Sequence, residues 1–158
     1  MQEKIRYPAV AGSFYPQDKN ELEREVRYLI KSAEEIKIDG EIIGLISPHA
    51  GYMYSGGVAA YGYKLLQGKK YDIVVIVAPS HRAYFRGASV YYIGDYLTPL
   101  GEVKVDKELS KELLNMDKII SFYEEAHLYE HSLEVQLPFL QEVLGNFKLI
   151  PILMGTQD

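Results

Sequence analysis

A chain of 158 residues is long enough for one domain with its own core, and it holds no cysteine, which removes disulfides, zinc fingers, iron–sulfur clusters and thiol chemistry. A net charge of −5 argues against a nucleic-acid surface. The opening Met1-Gln2-Glu3-Lys4 lacks the apolar core of a signal peptide, and the longest apolar run, Ile73 to Ala78, is too short for a bilayer; a soluble, cytoplasmic protein is expected.

Taken in order, the first 17 residues read as an irregular opening segment punctuated by Pro8, Gly12 and Pro16. Asp18 offers an N-cap, and Leu22, Val26, Leu29, Ile30 and Ala33 recur on one helical face before Gly40. Glu41 to Ser47 reads as a buried strand stopped by Pro48, and Ser55 to Leu66 as a helix ended by Gly68. Asp72 to Ala78 is the clearest strand, β-branched and without alternation, as in sheets covered on both faces. Ala88 to Ile93 is another strand, and Thr98-Pro99-Leu100-Gly101 a turn into Glu102–Val105. Asp106 caps a helix through Asn115, a helix from His131 to Leu144 carries a kink at Pro138, and Leu149 to Met154 is the last strand. The order predicts one α/β domain over residues 1–158, a mostly parallel sheet with helices on both faces. The last strand has no closing helix after it, so the chain reads as part of something longer.

Ligands of open α/β sheets bind beyond the carboxyl ends of the strands. Two of the four histidines sit there: Ser47-Pro48-His49 follows one strand, and Pro79-Ser80-His81 follows the next. The proline in each exit stiffens it, and neutral imidazole is a common metal ligand, so His49 and His81 are predicted to share a divalent metal. The bland alternative is two turn residues with satisfied hydrogen bonds. His127-Leu128-Tyr129-Glu130-His131 matches H-x-x-E-H, in which two histidines bind zinc and the glutamate activates water. That reading needs a continuous helix and a distant third ligand; otherwise His131-Ser132 simply opens a helix with Glu130 and Glu134 near its start. Gly51-Tyr52-Met53-Tyr54-Ser55-Gly56-Gly57 joins His49 to its helix and could bring backbone and tyrosines to a ligand. Neither a phosphate-binding glycine loop nor a G-x-S-x-G elbow occurs.

Several segments together resemble the Memo family (mediator of receptor-driven cell motility). They are Pro8-Ala9-Val10-Ala11-Gly12-Ser13-Phe14-Tyr15, Ser47-Pro48-His49-Ala50-Gly51-Tyr52 with Tyr54-Ser55-Gly56, Ala78-Pro79-Ser80-His81, Thr98-Pro99-Leu100-Gly101 and Glu130-His131-Ser132-Leu133-Glu134-Val135-Gln136-Leu137-Pro138. The resemblance implies a fold similar to class III extradiol dioxygenases, with non-haem Fe(II) as the metal and copper or zinc as alternatives. It places His49 and His81 as metal ligands, with His131 beside them as a further catalytic position. Phe14 and Tyr54 fall at aromatic positions near the pocket, and Glu130, His131 and Glu134 in a motif of unassigned role. Bacterial and archaeal members are described as the Memo component of an AMMECR–Memo–radical-SAM system.

The family is longer, so the resemblance covers only the N-terminal half of its domain, and the third ligand is left open. Two readings of function follow. One is an iron-dependent, dioxygenase-like oxidoreductase acting on an unidentified small molecule. The other, from the association of animal Memo proteins with receptor signalling, is a non-catalytic module that binds a peptide or an anion in the same cleft. Self-association, or a partner equivalent to the missing C-terminal half, is expected; nucleic acid and membrane are not.

Overall fold

In the computed structural model, residues 4–156 are described; Met1–Glu3 of the opening sequence and the terminal Gln157–Asp158 lie outside the described residues. The opening segment is not irregular throughout: Lys4–Arg6 is a short strand, β1. Helix α1 (Lys19–Ser32) starts where the Asp18 side chain accepts from the Glu21 N–H, and it buries Leu22, Val26 and Ile30. It ends well before Gly40. Helix α2 (Tyr52–Lys64) begins earlier than its small residues suggest, directly after Gly51.

The strands are β2 (Ile73–Pro79), β3 (Ala88–Val90), β4 (Gly94–Thr98), β5 (Gly101–Val103), β6 (Ile120–Ser121) and β7 (Lys148–Met154). Helix α3 (Lys107–Met116) is capped by Asp106, and α4 (Glu124–Leu128) is short. A 3-10 turn at Glu134–Gln136 leads into α5 (Leu137–Leu144). Pro138 therefore lies in the first turn of α5, where no N–H is needed, and starts the helix instead of kinking it.

The architecture is mixed α/β with two sheets. One runs β1-β4-β5 and the other β2-β7-β3-β6. The expectation of a mostly parallel sheet is corrected: β1–β4, β2–β7 and β3–β6 are parallel, whereas β3–β7 and β4–β5 are antiparallel. A tight turn at Thr98–Gly101 makes the β4–β5 pair antiparallel, whereas β3 and β7 meet across a long stretch of chain.

Helices α1, α2 and α5 enclose one core, with Leu22, Val26, Ala60, Tyr63, Phe139 and Leu140 buried and Val74 and Ile76 of β2 packed on it. A second core gathers Tyr91, Tyr96, Val105, Leu137, Leu149 and Leu153. Helices do not cover both faces of β2. Ile73, Val75 and Val77 alternate outward, and Val75 and Val77 are 53% and 59% exposed. The predicted strand Glu41–Ser47 forms no ladder; its Ile43 and Ile46 stand fully in solvent. A crevice of about 330 Å³ separates this segment from β2. Both segments have the composition of buried strands, and no part of the described chain covers their outer side.

Candidate metal centre

Two proline exits and one loop build the site. The stretch ending at Pro48 delivers His49, which lies just ahead of α2, and β2 ends at Pro79 and delivers His81. The third wall is the loop after α4. Here each polar residue has a task. The Ser132 hydroxyl donates to the Pro79 carbonyl at 2.7 Å, and the Gln136 amide donates to the Pro48 carbonyl at 3.1 Å. One short segment thus ties both exits, and His131 arrives between them. The ring centroids of His49 and His81 are 5.2 Å apart, those of His49 and His131 6.0 Å. His81 and His131 stack at 4.7 Å with 14° between planes.

Glu130 lies beneath the stack, 1% exposed. Its Oε1 lies 2.9 Å from His81 Nδ1 and accepts from the N–H groups of His131 and Ser132, each at 2.9 Å, and its Oε2 accepts from the His81 N–H. Burial pushes the carboxyl pKa up, but the His81 ring and the backbone N–H groups of His81 and Ser132 outweigh it and hold the value at about 2. His49 and His131 are shifted downward as well, which for an imidazole favours the neutral form. Burial, followed for His49 by the neighbouring His81, lowers its pKa; burial also lowers that of His131, with His81 and His49 adding to the effect against Glu130. Both rings are therefore neutral at pH 7, the form that offers a lone pair.

A second carboxylate anchors the loop from behind. Glu134, fully buried, accepts from the Arg6 guanidinium, the Tyr15 hydroxyl, and the N–H groups of Ala9 at 2.8 Å and Val10 at 3.1 Å. Arg6 also donates to the carbonyls of His127 at 2.9 Å and Glu130 at 2.6 Å. This latch brings the opening segment onto the site, so that Phe14 packs on His131 with centroids 4.7 Å apart.

Among the described residues, His81, Glu130 and His131 form a group that could hold a metal ion, with one ligand atom from each within 4.8 Å of the others. His49 stands just outside that group. The donors suit a first-row divalent ion. His131 Nδ1 is buried without a hydrogen-bond partner, 3.4 Å from Glu130 Oε1, and so is free to bind. Phe14 packs against His131, whereas Tyr54 projects from the first turn of α2 at 82% exposure. The H-x-x-E-H reading fails on geometry: α4 stops at Leu128, and His127 is buried with Tyr96 Oη 2.9 Å from Nδ1 and Ser89 Oγ 3.0 Å from Nε2.

Residues 6–158 match the family of Memo-like proteins. The chain belongs to the Memo family. It is 42% identical to a MEMO1 family protein of Nitrosopumilus maritimus, over 98% of this chain and 58% of that protein. A MEMO1 family protein of Sulfolobus acidocaldarius is 43% identical over 97% of this chain and 58% of its own length. The Memo-family chain thus spans just over half the length of these relatives. Of the polar residues that hold its site together, Glu130, Ser132 and Gln136 stood within a motif legible in the sequence, and Arg6 carried no signal. Nothing in the spacing told which group each would meet.

Proposed function

We propose that this half of a Memo-type domain provides most of a metal pocket, in which His49, His81 and His131 hold a divalent ion, Fe(II) first, with copper or zinc as alternatives. The observation that carries the reading is the convergence of three imidazoles, two of them neutral by burial, around the unpartnered His131 Nδ1. A bound Fe(II) ion would supply dioxygenase-like oxidation chemistry in the complete cytoplasmic domain. This chain's residues contribute orientation: Phe14 shields one face of His131, and the Ser132 and Gln136 bonds keep the two strand exits in place.

Metal analysis of protein purified without oxygen tests this. The expected result is bound metal in the wild type that is lost in His49→Ala and His81→Ala. Protein that takes up none of iron, copper or zinc would overturn it.

A second reading, a non-catalytic binding module, is favoured by the crevice beside His49, whose walls include Ile42, Leu45, Val74 and Ile76. An apolar slot of this kind suits an extended peptide better than an anion. Peptide binding unchanged by chelators would select it.

A further inference from the structure

The group of three potential ligands contains two histidines and one carboxylate, which on donor count resembles a site with two imidazoles and an acid. Hydrogen-bond accounting points elsewhere for the acid. An ionised carboxylate has about four lone-pair positions. Glu130 receives four donors: the His81 ring, and the backbone N–H groups of His81, His131 and Ser132. Three of the four converge on Oε1, the oxygen 2.9 Å from His81 Nδ1 and 3.4 Å from His131 Nδ1, so a cation could take that oxygen only by displacing one of them. Two of those three are backbone groups that would then be left without that partner.

We infer that Glu130 is a positioning residue and not a ligand: it holds the proton of His81 on Nδ1 and so presents the Nε2 lone pair to the pocket. The inference deepens the metal-pocket reading, and its first measurement does not depend on that reading. Glu130 also hydrogen-bonds one ring only. It meets His81 Nδ1 at 2.9 Å, whereas His131 Nδ1, at 3.4 Å, makes no hydrogen bond to it. Two stacked imidazoles are thus set differently by one carboxylate. His81 has its tautomer fixed, and His131 has none imposed on it by Glu130. The backbone bonds fix the rest of the geometry, because Glu130 joins the end of the β2 exit to the loop that carries His131.

Nitrogen-15-labelled histidine in the metal-free chain reads this directly, since long-range proton–nitrogen correlation separates a ring nitrogen bearing hydrogen from one bearing a lone pair. At a pH where the ring is neutral, His81, assigned by loss of its signals in His81→Gln, is expected to carry hydrogen on Nδ1. Glu130→Ala should release that bias, and Glu130→Gln, which keeps one accepting oxygen, should retain it. Zinc(II) used as the probe metal should bind about 10- to 100-fold more weakly to Glu130→Ala, with a smaller loss for Glu130→Gln. A wild-type His81 with hydrogen on Nε2 overturns the proposal whether or not the variants fold. So does equal loss of zinc affinity in both variants with the tautomer unmoved, which would make Glu130 a ligand. Failure to bind metal beside a fixed His81 tautomer would sink the metal reading and leave the positioning role standing.

Discussion

His127 shows the opposite use of an imidazole from His49, His81 and His131. Its ring is 1% exposed and both nitrogens face hydroxyls. Burial, followed by the positive charge of Arg6, lowers its pKa from 6.5 to about 3. Between those values the unfolded chain carries a proton that the folded chain does not, so stability declines as pH falls from 6.5 toward 3. The slope from this one group is up to about 1.4 kcal/mol per pH unit. His49 and His131, lowered mainly by burial, act in the same direction. His127→Gln keeps a donor and an acceptor for Tyr96 and Ser89. It should flatten the dependence of the urea midpoint on pH over the upper part of this window, compared with wild type. Equal slopes in the two proteins would show that His127 does not govern acid sensitivity.

Two glycines separate what a strand needs from what a helix needs. A Cβ on Gly94 would lie 2.0 Å from the Lys4 carbonyl oxygen, where β4 meets β1. Gly94→Ala should push β1 off its partner, costing about 1–3 kcal/mol, as overpacking does. Gly57, exposed within α2, has nothing within 4 Å. Gly57→Ala should stabilise by about 0.5–1 kcal/mol. Paired urea titrations check both signs, and a harmless Gly94→Ala would mean that β1 is only loosely held.

The same local rules decided which elements were legible. Capped helices announced themselves, as with Asp18 and Asp106, and β2 and β7 were visible as apolar runs. Strands β1, β4 and β6 escaped notice because two of them have three residues or fewer and β4 carries Asp95 buried inward against Lys104 and the Val105 N–H. Their identity is set by partners distant in sequence, which periodicity does not record. The approach of His49 to His81 could be anticipated from the two proline exits. The roles of Glu130 and Gln136 could not, because a hydrogen-bond partner 49 or 88 residues away leaves no spacing signature.

Seen whole, the described chain has an apolar side that none of its residues covers. Ile43, Ile46, Val75 and Val77 lie there in solvent, flanking the crevice beside β2. Contiguous apolar surface and an unpaired strand edge both favour association. The 158-residue chain should therefore sediment as oligomers that dissociate when Val75 and Val77 are both replaced by threonine. A monomer at every concentration would show that this side needs no partner.

The Arg6 latch has a consequence for how the protein is made. It joins Arg6 to Glu134 across 128 positions of chain, so the pocket's rear anchor exists only once Glu134 has been made. Synthesis at about 5–20 residues per second leaves His49 and His81 outside the ribosome for several seconds before Glu134 follows. During that interval Arg6 has no carboxylate to meet, and His131 has not yet been made. Any ion captured then would rest on two imidazoles and leave easily. The order of synthesis thus favours loading of any ion after the latch has closed.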